Sequence, residues 1–125
     1  MPSPTYLYKL LESPPPSPLP ETFPPTKLDA KDGFIHLSMA KQIPVTAKLF
    51  FAEHETVWLL KLRTADLDGE IKYSTEAAGG VPEGCAHLHD SEKGLGVHNI
   101  EEVMCLFKSA EEDWSDVPIL QTLED

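Results

Sequence analysis

Apolar and polar positions alternate with a period of two over residues 5–11, Thr-Tyr-Leu-Tyr-Lys-Leu-Leu, which predicts a first strand. Tyr6 and Tyr8 fall on one of its faces, Leu7 and Lys9 on the other. Residues 38–53 change to a helical pattern, with Val45, Leu49, Phe50 and Ala52 as a mostly apolar stripe and Pro44 near the start, where its missing amide proton does no harm. From Glu55 to Arg63 the chain is almost continuously apolar, Val57 to Leu62 interrupted only by Lys61, and this predicts a central strand covered on both faces. Residues 71–73 and 85–90 predict short strands. Residues 101–108 alternate as a closing strand, although residues 100–107 also fit a helix with Glu101 and Glu102 near its start.

Between these elements the chain is punctuated by turn formers. Asp32-Gly33 and Asp66-Leu67-Asp68-Gly69 predict turns, and Gly79, Gly80, Pro82 and Gly84 mark residues 74–84 as a loop able to act as a lid. Nine of the twelve prolines lie in the first 25 residues. Proline fixes φ and has no amide proton, so residues 13–25 can be neither helix interior nor central strand. They are expected to cross the surface as a stiff connection; presentation to a proline-binding partner domain is the alternative. Trp114 and Pro118-Ile119-Leu120 give the acidic tail, residues 109–125, enough apolar surface to dock on the rest. Several short strands and one principal helix predict a single α+β domain over residues 1–125, built on a small, mainly antiparallel sheet.

Composition narrows the function. A formal charge of −11 on 125 residues is the wrong sign for a nucleic-acid backbone or an anionic membrane surface. No apolar run approaches the roughly 20 residues needed to span a bilayer. The proline-bearing start lacks the charged-then-apolar pattern of a secretory signal, so a cytoplasmic setting is expected, with Cys85 and Cys105 as free thiols. The expected partner is a small-molecule ligand.

The chemistry concentrates in Asp32-Gly33-Phe34-Ile35-His36-Leu37-Ser38. Strand alternation places Phe34, His36 and Ser38 on one face, so an imidazole and a hydroxyl point the same way beside an aromatic ring. His87 and His89 share a face at the same spacing. Histidine exchanges a proton near neutral pH without much tuning, which makes His36 and His87 candidate acid/base catalysts. Gln42 follows Ser38 by one helical turn. Lys9 could clamp an anion or, if desolvated, act as an amine nucleophile; Tyr8 and Tyr73 could stack on a ring or sugar. With Phe34, Ser38, Glu76 and His89 these complete the expected substrate-binding set. The histidines lack the spacing of known zinc motifs, and no metal is assigned. His54 and His98 fall in predicted loops, where solvation is expected.

The block Asp32–Ser38, together with Gln42, Thr46-Ala47-Lys48-Leu49-Phe50-Phe51, Leu59-Leu60-Lys61-Leu62 and His87-Leu88, resembles the domain-of-unknown-function 952 family, over residues 5 to about 107. The resemblance implies an ADP-ribosyltransferase-like fold, whose members bind the nicotinamide end of NAD in a cleft between two small sheets. His36 and Ser38 match the pair that grips the cofactor's ribose in that superfamily, so an NAD- or ADP-ribose-like ligand is implied. The chain departs from the family pattern in three places. Lys9 stands where a His is usual, Cys85-Ala86-His87-Leu88-His89-Asp90 keeps only the His-Leu of its motif, and Tyr73-Ser74 replaces a Trp-Glu pair, leaving Glu76 as the nearest carboxylate. The late-strand Glu required for ADP-ribosyl transfer has no counterpart by motif. The sequence therefore predicts a small enzyme working by histidine acid/base chemistry on an organic or nucleotide-derived ligand; a non-catalytic nucleotide- or metabolite-binding module is the alternative.

Overall fold

A computed structural model describes residues 4–24, 26–73 and 86–124. Six strands form two three-stranded antiparallel sheets. The first holds β1 (Tyr6–Leu11), β3 (Thr56–Arg63) and β6 (Ile100–Phe107) in the order β1-β3-β6. The second holds β2 (Ile35–Leu37), β5 (Ala86–His89) and β4 (Glu70–Tyr73) in the order β2-β5-β4. β3 is central, as its continuous apolar run requires, and residues 100–107 are a strand and not a helix. A backbone bridge joins the sheets: the N–H of Tyr8 donates to the Ser38 carbonyl and the N–H of Ser38 to the Tyr8 carbonyl, both at 2.8 Å.

Because β1 and β3 bury both faces, their alternating residues feed two separate cores. Tyr8, Val57 and Leu59 pack with Leu106 against helix α2 (Ile43–Phe50) and the C-terminal 3-10 turns, which contribute Trp114, Val117 and Leu120. Leu7, Leu60 and Leu62 face the other way and meet Leu37, Ala86 and Leu88 from the second sheet. Each fully buried Leu adds about 1.5–3 kcal/mol of apolar transfer free energy to its core. The tail is thus an integral wall: Trp114 is fully buried and its Nε1–H donates to the Phe51 carbonyl at 2.7 Å.

Three local expectations are corrected. The principal helix is shorter than 38–53, with a 3-10 turn at Ala40–Gln42 preceding α2. Its core face consists of Ile43 and Ala47, whereas Val45, Leu49 and Phe50 are 42%, 46% and 51% exposed. A second short helix, α1 (Lys27–Asp32), lies between the proline-rich segment and β2, where the sequence predicted no element. Thr26 caps it by accepting from the Asp29 N–H, and Gly33, at φ 78°, ends it in the left-handed conformation glycine tolerates.

The proline-rich segment is anchored along residues 93–97. Val97 donates its N–H to the Pro20 carbonyl, Phe23 donates to the Leu95 carbonyl, and the Thr22 hydroxyl donates to the Lys93 carbonyl. Gly96 permits this approach, since a Cβ there would lie 1.8 Å from the Glu21 carbonyl oxygen. Among the described residues no helix is long and apolar enough to cross a membrane. Cys105 is an exposed free thiol; Cys85 and the 74–84 loop lie outside the described residues.

Candidate functional site

Register creates the site. β2 and β5 pair antiparallel with His36 opposite His87, while Ile35, Leu37, Ala86 and Leu88 turn toward the core. The alternate residues must therefore point outward, so three imidazoles and one phenyl ring gather on the outer face of the second sheet. The Phe34 ring lies 4.7 Å from His36, 4.5 Å from His87 and 4.7 Å from His89, centroid to centroid. The His36 and His87 rings are 5.4 Å apart, edge to face. β4 extends the same face, pairing Lys72 with His87 and Glu70 with His89.

His36 is held from two directions. Its Nδ1 is 2.7 Å from Asp29 Oδ1, its Nε2 is 3.0 Å from Asp32 Oδ2, and its backbone N–H donates to Asp29 Oδ1 at 3.1 Å. A neutral imidazole can donate to only one of these carboxylates, whereas the imidazolium donates to both. Both carboxylates come from α1, one turn apart, and the left-handed Gly33 turns the chain so that the helix lies beside the strand it precedes.

Behind His36 lies a buried ion pair. Lys9 Nζ is 2.9 Å from Asp29 Oδ2 and donates to the His36 carbonyl at 2.9 Å. The Asp29 side chain is only 3% exposed. Burial alone would raise its pKa, but the hydrogen bond from His36 and the charge of Lys9 outweigh that and hold it well below the usual carboxylate range. Burial draws Lys9 down from the ordinary lysine value, with Asp29 pulling the other way. Desolvation also lowers His87, helped by the positive charge of His36 and His89 and opposed by Asp32. Near neutral pH His87 is therefore a proton acceptor.

Not every expected residue reaches this face. Tyr8 is fully buried in the α2 core, where its hydroxyl donates to the Glu124 carbonyl at 2.6 Å. Adjacent strand residues point oppositely, so Tyr8 and Lys9 cannot serve one site, and Tyr8 is withdrawn from it. The same parity removes Tyr73, since its neighbour Lys72 is the residue opposite His87. Gln42 is buried and accepts the Met39 N–H at 2.8 Å, bracing the turn before α2. Ser38 is buried, with its backbone engaged by Tyr8. Lys9 lies behind the histidine face and not on it. Glu76 is outside the described residues. Asp29, Asp32, Lys72 and Glu70 are the additions. The signal for the two aspartates was Thr26-x-x-Asp29, a capping pattern with Gly33 closing the turn. Among the described residues no group of three or more His, Cys, Asp or Glu is arranged to hold a metal.

The architecture defines a class: a small α+β domain of two antiparallel sheets with one main helix and a histidine-lined outer face. The chain belongs to the family described as protein of unknown function DUF952, whose profile matches residues 19–103. That span includes Asp29, His36 and His87 but not Lys9. Its fold is similar to the X-ray structure of protein CC0527 from Caulobacter crescentus, at 27% identity and a TM-score of 0.63, with 86% of this chain and 90% of that one covered. A double mutant of CC0527 aligns over the same shares at 26% identity and a TM-score of 0.63. No curated protein matches the chain.

Proposed function

We propose that this protein is a small-molecule enzyme that moves a proton between His36, His87 and a ligand seated on Phe34. The observation that carries the reading is the division of labour between two facing imidazoles. His36 is oriented by two carboxylates, while His87 is kept neutral by partial burial and neighbouring positive charge. One positioned donor and one acceptor at 5.4 Å make an acid/base pair able to act on a single ligand. The Phe34 ring, 4.7 Å from that of His89, adds an aromatic surface against which a planar ring can stack.

The family resemblance supports a nucleotide-derived ligand of NAD or ADP-ribose type in an ADP-ribosyltransferase-like cleft. ADP-ribosyl transfer itself is not part of the proposal, because no carboxylate is assigned to polarise the ribose. The test is a thermal-shift and product screen against NAD, ADP-ribose and a metabolite panel. The proposal expects a shift with product formation that His87→Gln abolishes. A shift without product makes the chain a binding module. A shift that persists unchanged in both His87→Gln and His36→Gln removes the histidine face from the function.

A further inference from the structure

The buried Lys9 has a second surface. Behind the second sheet, on the side of Ile35 and not of His36, a cavity of about 180 Å³ opens between β1, the proline segment and residues 91–95. Its walls are mainly apolar, formed by Leu11, Phe23, Ile35 and Leu95, and Lys9 and Asp29 lie at its polar end. Most of its hydroxyls are occupied. Thr22 donates to Lys93, and Ser91 bonds Asp68 while accepting the Gly94 N–H. Two donors keep capacity among the described residues. Lys9 spends two of its three ammonium protons, on Asp29 and the His36 carbonyl, and Thr26 uses its oxygen only to accept from Asp29 N–H. The cavity thus offers donors to an acceptor-headed molecule with a small apolar body.

We propose that this cavity takes a small aldehyde or ketone, which Lys9 captures as an iminium ion. The ammonium first hands one proton to the Asp29 carboxylate, 2.9 Å away, which frees the nitrogen lone pair; the ε-amine then adds to the carbonyl carbon, the C–N bond forms and the π pair moves to oxygen, which takes up a proton from nitrogen. The C–O bond then breaks, and the oxygen leaves as water with the proton that Asp29 returns, so the nitrogen keeps its remaining N–H. Written from the ammonium, R–NH₃⁺ plus a carbonyl gives the N-protonated imine plus water, so charge balances and no oxidant or reductant is consumed. Asp29 favours this outcome over other lysine chemistry. Its carboxylate, held ionised, trades one cation for another, and the iminium retains an N–H for it; acylation would remove the cation beside Asp29 Oδ2. Apolar walls around a desolvated amine are the setting in which lysine forms such adducts. This inference does not rest on chemistry at the histidine face.

The experiment uses the intact wild-type chain, whose eight other lysines are internal controls. The protein is incubated at pH 7.5 with isobutyraldehyde and sodium cyanoborohydride, and modified sites are quantified by peptide mass spectrometry over time. A parallel incubation uses a pyrene aldehyde, too large for the cavity. Lys9 is expected to gain the isobutyl group at least ten-fold faster than the mean of the other lysines, and to resist the pyrene reagent. Failure to modify Lys9, modification only at the average rate, or equal labelling by the pyrene aldehyde each overturns the proposal. In the last case the residue reacts through unfolding and not through the cavity. Asp29→Asn, if it folds, is expected to lose the preference for Lys9; retention of that preference removes Asp29 from the mechanism.

Discussion

His36 and His87 stand opposite each other across the β2–β5 pairing, yet only His36 is tied to carboxylates among the described residues. That asymmetry divides the face into a fixed ring and a responsive one, and it shapes what each substitution should do.

The pKa of His87 is expected below the ordinary histidine value of about 6.5. Between the two values the unfolded chain binds a proton that the folded chain does not, so folding stability rises with pH through that window and levels off above it. Carbon-detected NMR titration of the imidazole measures the midpoint directly. His36→Gln removes one of the neighbouring charges and is expected to move the His87 midpoint upward, though not fully back, because desolvation is the larger cause.

Asp29→Asn is expected to cost about 3–5 kcal/mol, the range for leaving one member of a buried ion pair uncompensated. The wild-type carboxylate has a depressed folded pKa, so its contribution is complete above the unfolded value of about 3.9 and declines as pH falls below it. Urea unfolding between pH 2 and 7 should therefore show an acid-side loss in the wild type that is shallower in Asp29→Asn. An equal slope in both proteins would place the acid sensitivity elsewhere.

His87→Gln should leave stability within about 0.5 kcal/mol, since the side chain is partly exposed and makes no ion pair among the described residues. Thermal unfolding checks this, and the result matters: loss of a ligand response in a protein that still melts normally separates function from folding.

Gly96→Ala brings a methyl group into the Glu21 carbonyl, backbone against backbone, with no flexible side chain to yield. The expected result is release of the proline segment from residues 93–97, read as faster protease cleavage within residues 13–24. The cavity beside Lys9 should close or open to solvent with it, because Thr22, Phe23 and Pro24 form one of its walls.

Trp114→Ala removes the largest fully buried side chain and a hydrogen bond to Phe51, for an expected loss of about 3–5 kcal/mol by denaturant unfolding. A tail that were only solvated acidic chain would tolerate the change.

Much of this arrangement was readable from residue order. Period-two alternation through Phe34 and His36, and again through His87 and His89, was enough to put each pair on a shared face. The register that brings the two pairs together is long-range and left no local mark. Asp29 and Asp32 were overlooked because a six-residue helix has too few turns to show a hydrophobic period; only its cap and its terminal glycine betray it. The outward stripe of α2 misled for the opposite reason. Val45, Leu49 and Phe50 have the right spacing, but the helix turns Ile43 and the small Ala47 into the core it shares with Tyr8 and Trp114, and tertiary packing overrode hydrophobicity. Tyr8 and Tyr73 were misplaced although strand parity, applied against Lys9 and Lys72, excludes them.

The two oxygens of Asp29 face different compartments, one toward the imidazole on the outer surface and one toward the amine at the cavity. Any substitution at Asp29 is therefore felt in both compartments at once, because each oxygen serves one of them.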